Sequence, residues 1–431
     1  MNDTIYALSS GRLPAAIAVI RISGPKANEG LIALTGKVPE PRKAAYAVFR
    51  NPDSRETLDD GLAVWVPGPK SETGEDMAEL HIHGGRAIVS SIFAVFSKIA
   101  GFRPAGPGEF TKRALLNGKI DVARVEGLGD LIAAETEAQR RQAVLQFRGG
   151  LSKKVEAWRE KLLSVQAEVT AAIDFSDEGD VPKDLLHSAR NAAASLVAEI
   201  RMALRDAGRG ERLREGFTVA IAGAPNVGKS TLLNRLAERE VAIVSDIPGT
   251  TRDVIEVALD LNGVPVVLVD TAGIRETSDP VEAEGVKRAK ARAEAADLVL
   301  WLVDDDRQVA VKEPGREWVL RTKADLRAVT AGELAVSAKT GEGMDGLIAR
   351  LAEVAGKLAG EPALVTNARQ RQALEAAVAH LVALSSPEIS GREELFAEEL
   401  RLAADALGRI TGKIGIEDVL GELFKNFCVG K

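Results

Sequence analysis

Residues 223–230 read GAPNVGKS, a glycine-rich turn that ends in a lysine and a hydroxyl side chain. The stretch before it, FTVAIA at 217–222, has the texture of a buried strand, and 231–236 has that of a helix. Between a strand and a helix, the pattern G-x-x-x-x-G-K-[ST] is specific for the phosphates of a nucleotide. Glycines let backbone N–H groups close around an anion at a helix N-terminus, where the dipole favours negative charge. Lys229 then reaches the β- and γ-phosphates, and the Ser230 hydroxyl ligates Mg2+. The contact set of this loop is Asn226, Val227, Gly228, Lys229, Ser230 and Thr231.

Further segments follow in a fixed order. A buried strand at 266–269 ends in DTAG at 270–273. Asp270 suits the water shell of Mg2+, and the Gly273 N–H suits the γ-phosphate. Between these motifs lies GTTRD at 249–253, whose Thr251 can close over Mg2+ when the γ-phosphate is present. TKAD at 322–325 and SAK at 337–339 come next. A carboxylate at Asp325 accepts N1–H and N2–H of guanine, which adenine does not offer, and the Ala338 N–H meets O6. Order and spacing together select GTP over ATP. Thr322 stands where GTPases usually carry Asn, which lowers the expected affinity. Ile274 follows Gly273, and an aliphatic side chain cannot orient water. Glu276, Asp279, Glu282 and Glu284 are the acidic candidates for that task, and spacing does not choose among them. Neither Arg252 nor Arg275 is identifiable as an arginine finger. The Asn226 carbonyl can hold a monovalent cation near the β/γ bridge.

These residues need elements to position them. A chain of 431 residues suffices for two to four domains of about 100–200 residues each. Lys and Arg number 56 against 63 Asp and Glu, a formal charge of −7. That excludes a protein gripping nucleic acid by bulk positive charge, though not a local basic patch. With 45% hydrophobic and 28% charged residues the chain is expected to fold. The single Cys428 excludes internal disulfides and a Cys-based zinc cluster and fits a reducing compartment. Four histidines leave little room for a His-rich metal site. The apolar runs at 13–20 and 295–303 are too short to cross a bilayer, and the first lacks a basic leader; both read as buried strands. The expectation is a cytoplasmic multidomain protein with no membrane association.

Strand-like runs at 16–22, 44–49, 61–66 and 78–82, split by clusters such as PGP at 67–69, precede a helical stretch at 86–99. Residues 1–118 thus read as a small α+β or α/β domain. Helical spacing takes over from 119 to about 173, stops at the acidic DFSDEGD of 174–180, and resumes from about 183 to 214. Strand–loop–helix alternation runs from Gly216 to about 357, and residues 363–424 are helical again. Neither helical half looks large enough for a stable core alone. The order therefore reads as an α/β domain (216–360) inserted between halves of one helical domain (119–215 and 361–431).

Outside the nucleotide motifs stand RISG at 21–24, TGED at 73–76, HGG at 83–85, PGEFT at 107–111 and FCVGK at 427–431. With them the chain resembles the MnmE (TrmE) family of tRNA-modification GTPases over nearly its whole length. Other GTPases share the middle, but not that N-terminal domain together with a C-terminal Cys-x-Gly-Lys. The resemblance implies a multidomain fold: an α+β folate-binding and dimerisation domain, a discontinuous all-α domain, and an inserted Ras-like α/β P-loop GTPase domain. It implies a homodimer that works on tRNA with the flavoprotein MnmG, in a heterotetramer. The product is an aminomethyl or carboxymethylaminomethyl group on C5 of wobble uridine, its one-carbon unit drawn from a reduced folate such as 5-formyltetrahydrofolate. GTP hydrolysis, stimulated by K+, accompanies G-domain dimerisation.

Carried over by motif, the nucleotide contacts extend to Ser245, Asp246, Ile247, Pro248, Gly249, Thr250 and Thr251. They also take in Thr271, Ala272, Lys323, Ser337 and Lys339. Asn226, Ser245, Ile247 and Thr250 would coordinate K+, partly through backbone carbonyls, in place of an arginine finger. Glu282 aligns with the catalytic glutamate that orients the attacking water. Arg21, Glu79, Lys119 and Lys431 match folate-contacting positions, and Cys428 matches a cysteine on which modification depends. The competing reading is a regulatory or ribosome-assembly GTPase, a switch rather than part of a modifying enzyme. Such proteins usually carry an RNA-binding module or basic tail, and neither is evident in this sequence.

Overall fold

A computed structural model describes residues 3–174, 185–243, 256–270, 295–304, 313, 315–327, 330, 332–358, 360–387, 389, 392–415, 423, 424, 427, 429 and 430. The chain forms two compact units. One comprises Met1–Gly129, Ser152–Arg159 and Asp405–Lys431; the other comprises Asp130–Leu151 and Glu160–Ala404.

The first unit is built on a six-stranded sheet of β1 (Thr4–Leu8), β2 (Ala15–Ser23), β3 (Ala45–Arg50), β4 (Thr57–Val66), β5 (Met77–Gly84) and β6 (Phe102–Pro104). Its order is β3-β4-β5-β2-β1-β6, with β1 and β6 parallel and the other neighbours antiparallel. Alternation along each strand separates the two faces. Ala18, Ile20 and Ile22 of β2 join Phe49, Leu80 and Ile82 in a core closed by Leu31 and Leu34 of α1 (Ala27–Thr35) and by Ile92 and Phe96 of α2 (Arg86–Phe96). On the other face α3 (Glu109–Leu116) seats Phe110 against Ile5, Ala7 and Ala105.

The apolar run at 13–20 is therefore buried only in part. Its strand begins at Ala15, Ala18 and Ile20 are fully buried, and Ile17 is 63% exposed. Period-2 alternation sends Ile17 to the open face, beside His83 in the register, while Leu62 pairs with both His81 and Tyr46 on that same face. Four elements of this unit were not expected from the sequence: β1, α1, the three-residue β6 and α3.

The tail of the chain also belongs to this unit. Phe424 packs with Leu115, Val122 and Val125, and its ring lies 5.3 Å from that of Phe427. Val429 forms an antiparallel bridge with Pro107, and Ser9 Oγ donates to the Gly430 carbonyl at 2.8 Å. Gly430 has φ +96°, and a Cβ there would stand 2.2 Å from Leu8 O. Only glycine fits.

The helical stretches expected at 119–173 and 183–214 become α4 (Val122–Ala133), α5 (Glu137–Phe147), α6 (Gly150–Asp174), α7 (Leu185–Leu204) and α8 (Ala207–Glu215). Thr136 caps α5 in a reciprocal box with Gln139. In the second unit α7 packs against Ala368–Ala383, whose N-terminus is capped by Asn367 Oδ1 accepting from the Gln370 N–H at 2.9 Å.

The second unit also holds a five-stranded sheet in the order β11-β10-β7-β9-β8: β7 (Phe217–Gly223), β8 (Glu256–Leu261), β9 (Val264–Asp270), β10 (Leu298–Val303) and β11 (Glu317–Arg321). All neighbours are parallel except β8 and β9. Parallel strands covered on both faces read as unbroken apolar runs, as LVLWLV of β10 does. Leu232, Leu233 and Leu236 of α9 (Lys229–Ala237) and Leu347 and Leu351 of Met344–Ala355 complete that core. Among the described residues no helix is long and apolar enough to cross a membrane.

Candidate functional site

Parallel pairing makes β7, β9, β10 and β11 end at one edge. Ile221 lies beside Asp270, Leu302 beside Gly223, and Val303 beside Arg321. Gly223, Asp270, Val303 and Arg321 thus stand at the carboxyl edge of the sheet, where open α/β folds bind ligands. Gly223 has φ +148°, and a Cβ on it would lie 2.6 Å from Leu302 O, so the loop turns where no side chain fits. Asn226 at φ +61° and Gly228 at φ +107° are both left-handed. Left-handed backbone of this kind is what lets a loop at a helix N-terminus cradle an anion, although the Val227 N–H here donates to Ala224 O at 3.4 Å. Lys229 is 6% exposed, and its ammonium donates to the Gly223 and Ala224 carbonyls, each at 2.8 Å. Asn226, Ser230 and Thr231 are exposed, whereas Val227 anchors the loop in the core.

The segments expected to read the base are tied to this loop. Thr322 is 7% exposed, and its Oγ1 donates to Val227 O at 2.7 Å. Val336 N–H donates to Arg321 O at 2.8 Å and Ala324 N–H to Val336 O at 3.2 Å, so 322–325 and 335–339 are joined by backbone hydrogen bonds. Asp325 sits exposed in a single turn of 3-10 helix, Ala324–Leu326. Lys323, at φ +55°, pairs with Asp304 at 2.5 Å, and that hydrogen bond holds the Asp304 carboxyl below the usual range. Ser337 is buried: its N–H donates to Glu342 O at 2.9 Å and its hydroxyl accepts from the Thr340 N–H at 3.2 Å. This turn leaves Ala338 half-buried and Lys339 exposed. The Ser230 hydroxyl and Asp270 carboxylate are hard oxygen donors, the chemistry Mg2+ prefers.

Ser245, Asp246, Ile247, Pro248, Gly249, Thr250, Thr251, Thr271, Ala272, Gly273 and Glu282 lie outside the described residues, as do Cys428 and Lys431. The alternatives Glu276, Asp279, Glu284, Arg252 and Arg275 do as well.

In the first unit, the register sets Arg21 of β2 directly across from Glu79 of β5. Arg21 Nε and Nη2 donate to Glu79 Oε1 at 3.1 and 3.0 Å, and Nη1 reaches Glu72 Oε2 at 3.2 Å. Its guanidinium lies 5.9 Å from the centroid of the Phe110 ring. Glu79 Oε2 is 3.4 Å from His81 Nε2. Lys119 Nζ donates to Pro69 O at 2.8 Å, and Asn117 Nδ2 to Thr73 O at 2.7 Å. Arg21, through Glu72, and Lys119, through Pro69, therefore grip opposite ends of one loop, 69–73.

Beneath that loop lies a polar cluster that sequence reading did not assemble. Arg113 has no exposed side-chain surface; Nη1 donates to Glu75 Oε2 at 2.8 Å and Nη2 to Asp3 Oδ1 at 2.9 Å. Ser23 Oγ donates to Glu75 Oε2 at 2.8 Å. Burial pushes the Glu109 carboxyl up, but hydrogen bonds from Arg103 and the Gly106 N–H, with both arginine charges, hold it below the usual range. Glu75 and Arg113 are 38 positions apart. Both lie in or beside quoted motifs, TGED and PGEFT, yet no spacing rule joins them.

Two family models match most of the chain. The family model described as "GTP-binding protein TrmE N-terminus" matches residues 4–119, and "MnmE helical domain" matches residues 122–428. The chain is 56% identical over 433 residues to the tRNA modification GTPase MnmE of Azorhizobium caulinodans, covering 100% of this chain and 99% of that protein. It is 54% identical to the protein so named from Methylobacterium sp., with 100% of each covered. For Rhodopseudomonas palustris the identity is 51%, over 100% of this chain and 99% of the relative. With identity of that order running from end to end and both domain models matched, the chain belongs to the tRNA modification GTPase MnmE family.

Proposed function

We propose that this chain is a K+-stimulated GTPase that, with a flavoprotein partner of the MnmG type, modifies C5 of wobble uridine in tRNA. The added group is an aminomethyl or carboxymethylaminomethyl group, with its one-carbon unit taken from a reduced folate such as 5-formyltetrahydrofolate. The observation that carries the reading is the return of Val429 and Gly430 to Pro107 and Ser9. It ties the segment bearing Cys428 and Lys431 to the unit in which Arg21, itself paired with Glu79, and Lys119 hold one loop. A GTP switch alone would have no use for that closure.

In this reading the backbone of 223–228 and the Lys229 ammonium bind the β- and γ-phosphates, and Asp325 selects guanine. Ser230, with Thr251, ligates Mg2+, which when bound neutralises charge between the β- and γ-phosphates. Asn226, Ser245, Ile247 and Thr250 hold K+, the extra cation that a chain without an identifiable arginine finger needs. Glu282 orients the water, and Arg21, Glu79, Lys119 and Lys431 hold the folate. The domains run 1–118, 119–215, 216–360 and 361–431. The homodimer forms through the N-terminal domains, a reading supported by the exposed Ile17, Tyr46 and Leu62 on one sheet face.

Titration of 5-formyltetrahydrofolate into the full chain, and into a chain lacking 428–431, tests the reading. Saturable binding that weakens on truncation is expected. A folded, GTP-hydrolysing chain that binds no folate would leave the regulatory switch as the better account.

A further inference from the structure

Thr322 brings two hydrogen-bond donors to the base-reading loop, and the protein consumes both. Its N–H donates to Val303 O at 2.8 Å. Its hydroxyl has one proton, with Val227 O at 2.7 Å and Val303 O at 3.3 Å, and the shorter contact takes it. At 7% exposure that bond is not traded for water. Thr322 thus fastens the base loop to the phosphate loop and has nothing left for a ligand acceptor.

Guanine presents two edges. The Watson–Crick edge offers N1–H and N2–H, which an ionised Asp325 can accept. The other edge offers N7, an acceptor that needs a donor. An Asn at position 322 would carry two amide protons, one for Val227 O and one for N7. Threonine keeps only the first. Resting on the reading that Asp325 holds guanine, we propose that Thr322 leaves N7 unread and that, among the described residues, guanine is recognised by its Watson–Crick edge. The chain therefore accepts 7-deazaguanosine triphosphate, which lacks N7, as readily as GTP.

Competition of the two nucleotides against a fluorescent guanine nucleotide, on the full chain, tests this. Wild type is expected to bind them within about twofold of each other. Thr322→Asn is expected to prefer GTP by roughly 3- to 10-fold, the span of one neutral hydrogen bond. A wild-type preference for GTP of about fivefold or more overturns the proposal, and so does a folded Thr322→Asn chain with no preference. The wild-type ratio decides by itself if that variant does not fold. Asp325→Asn separates the underlying reading from the inference: it is expected to lose GTP and gain xanthosine triphosphate, whose 2-oxo group accepts from an amide. Undiminished GTP binding there would instead remove guanine from this loop.

Discussion

Lys229 shows how one residue's role depends on its neighbours. Its ammonium is nearly buried, yet it rests on two loop carbonyls and so keeps its charge partnered at the rim of an anion cradle. Lys229→Ala removes the cation proposed to meet the transferring phosphoryl group. Hydrolysis should fall by at least roughly 100-fold, while circular dichroism stays unchanged. A rate within a few-fold of wild type would remove Lys229 from the catalytic machinery. Gly228 works by backbone alone: a Cβ there meets nothing closer than 3.9 Å, but φ +107° strains any other residue. In the first unit the His83 ring is 68% exposed and takes Asp59 at 2.8 Å. That hydrogen bond and the Asp59 charge raise the His83 pKa above 6.5. A group raised in this way stabilises the folded state below its unfolded value and loses that contribution as pH rises through its folded value. An NMR titration should place the His83 midpoint above 6.5, with Asp59→Asn returning it toward that value. An unshifted midpoint in wild type would show that the pair is not formed in solution.

At the scale of elements, the carboxyl edge of the parallel sheet explains why distant motifs meet. Residues 223, 270 and 322 share a site because β7, β9, β10 and β11 are parallel and in register. The tail works differently, as a short strand-like segment seated by glycine. Gly430→Val would drive a side chain into Leu8 O, and Gly108→Ala would put a Cβ 2.5 Å from the Phe424 ring. Both variants should lower folate affinity, as is expected of truncation of 428–431, and leave GTP hydrolysis unchanged; full affinity in Gly430→Val would mean that the tail is dispensable. The cluster around α3 sets an acid limit for its unit. Glu109 and Asp3 both titrate below their usual ranges. Their contribution is complete above the unfolded carboxylate values near 4 and is lost as pH falls through the lower folded values. Glu109→Gln should therefore flatten the acid limb of thermal stability measured from pH 5 to 2. A variant whose stability falls as steeply as wild type would assign the acid limb to other carboxylates.

At the scale of the whole molecule, the proposed K+ site and the proposed pairing of chains each have a direct test. Without an identifiable arginine finger, hydrolysis should run faster in K+ than in Na+ at equal ionic strength, and Asn226→Ala should abolish the difference. Equal rates in the two salts would end the K+ assignment. The exposed apolar side chains of the first unit give a second test. Tyr46 is 66% and Leu62 40% exposed, and they are paired across β3 and β4. Replacing both with Glu should shift sedimentation from dimer to monomer, since burying two carboxylates between copies is costly. A dimer of unchanged stability would place the interface elsewhere.

Much of this was legible in the residues themselves. Phosphate-binding loops depend on local backbone, so GAPNVGKS announced its strand, turn and helix without help from the rest of the chain. The same holds for the apolar runs of β7, β9 and β10, because burial on both faces leaves an unbroken pattern. Only tertiary structure decided which faces stayed open, as at Ile17, and which charges met. Arg21 finds Glu79 through strand register, and Arg113 finds Glu75 and Asp3 across 38 and 110 positions. Thr322 spends its proton on Val227, 95 positions away. A motif records which donors a segment owns. Where each proton goes depends on which acceptors the fold brings within 3 Å, and no local pattern encodes that distance.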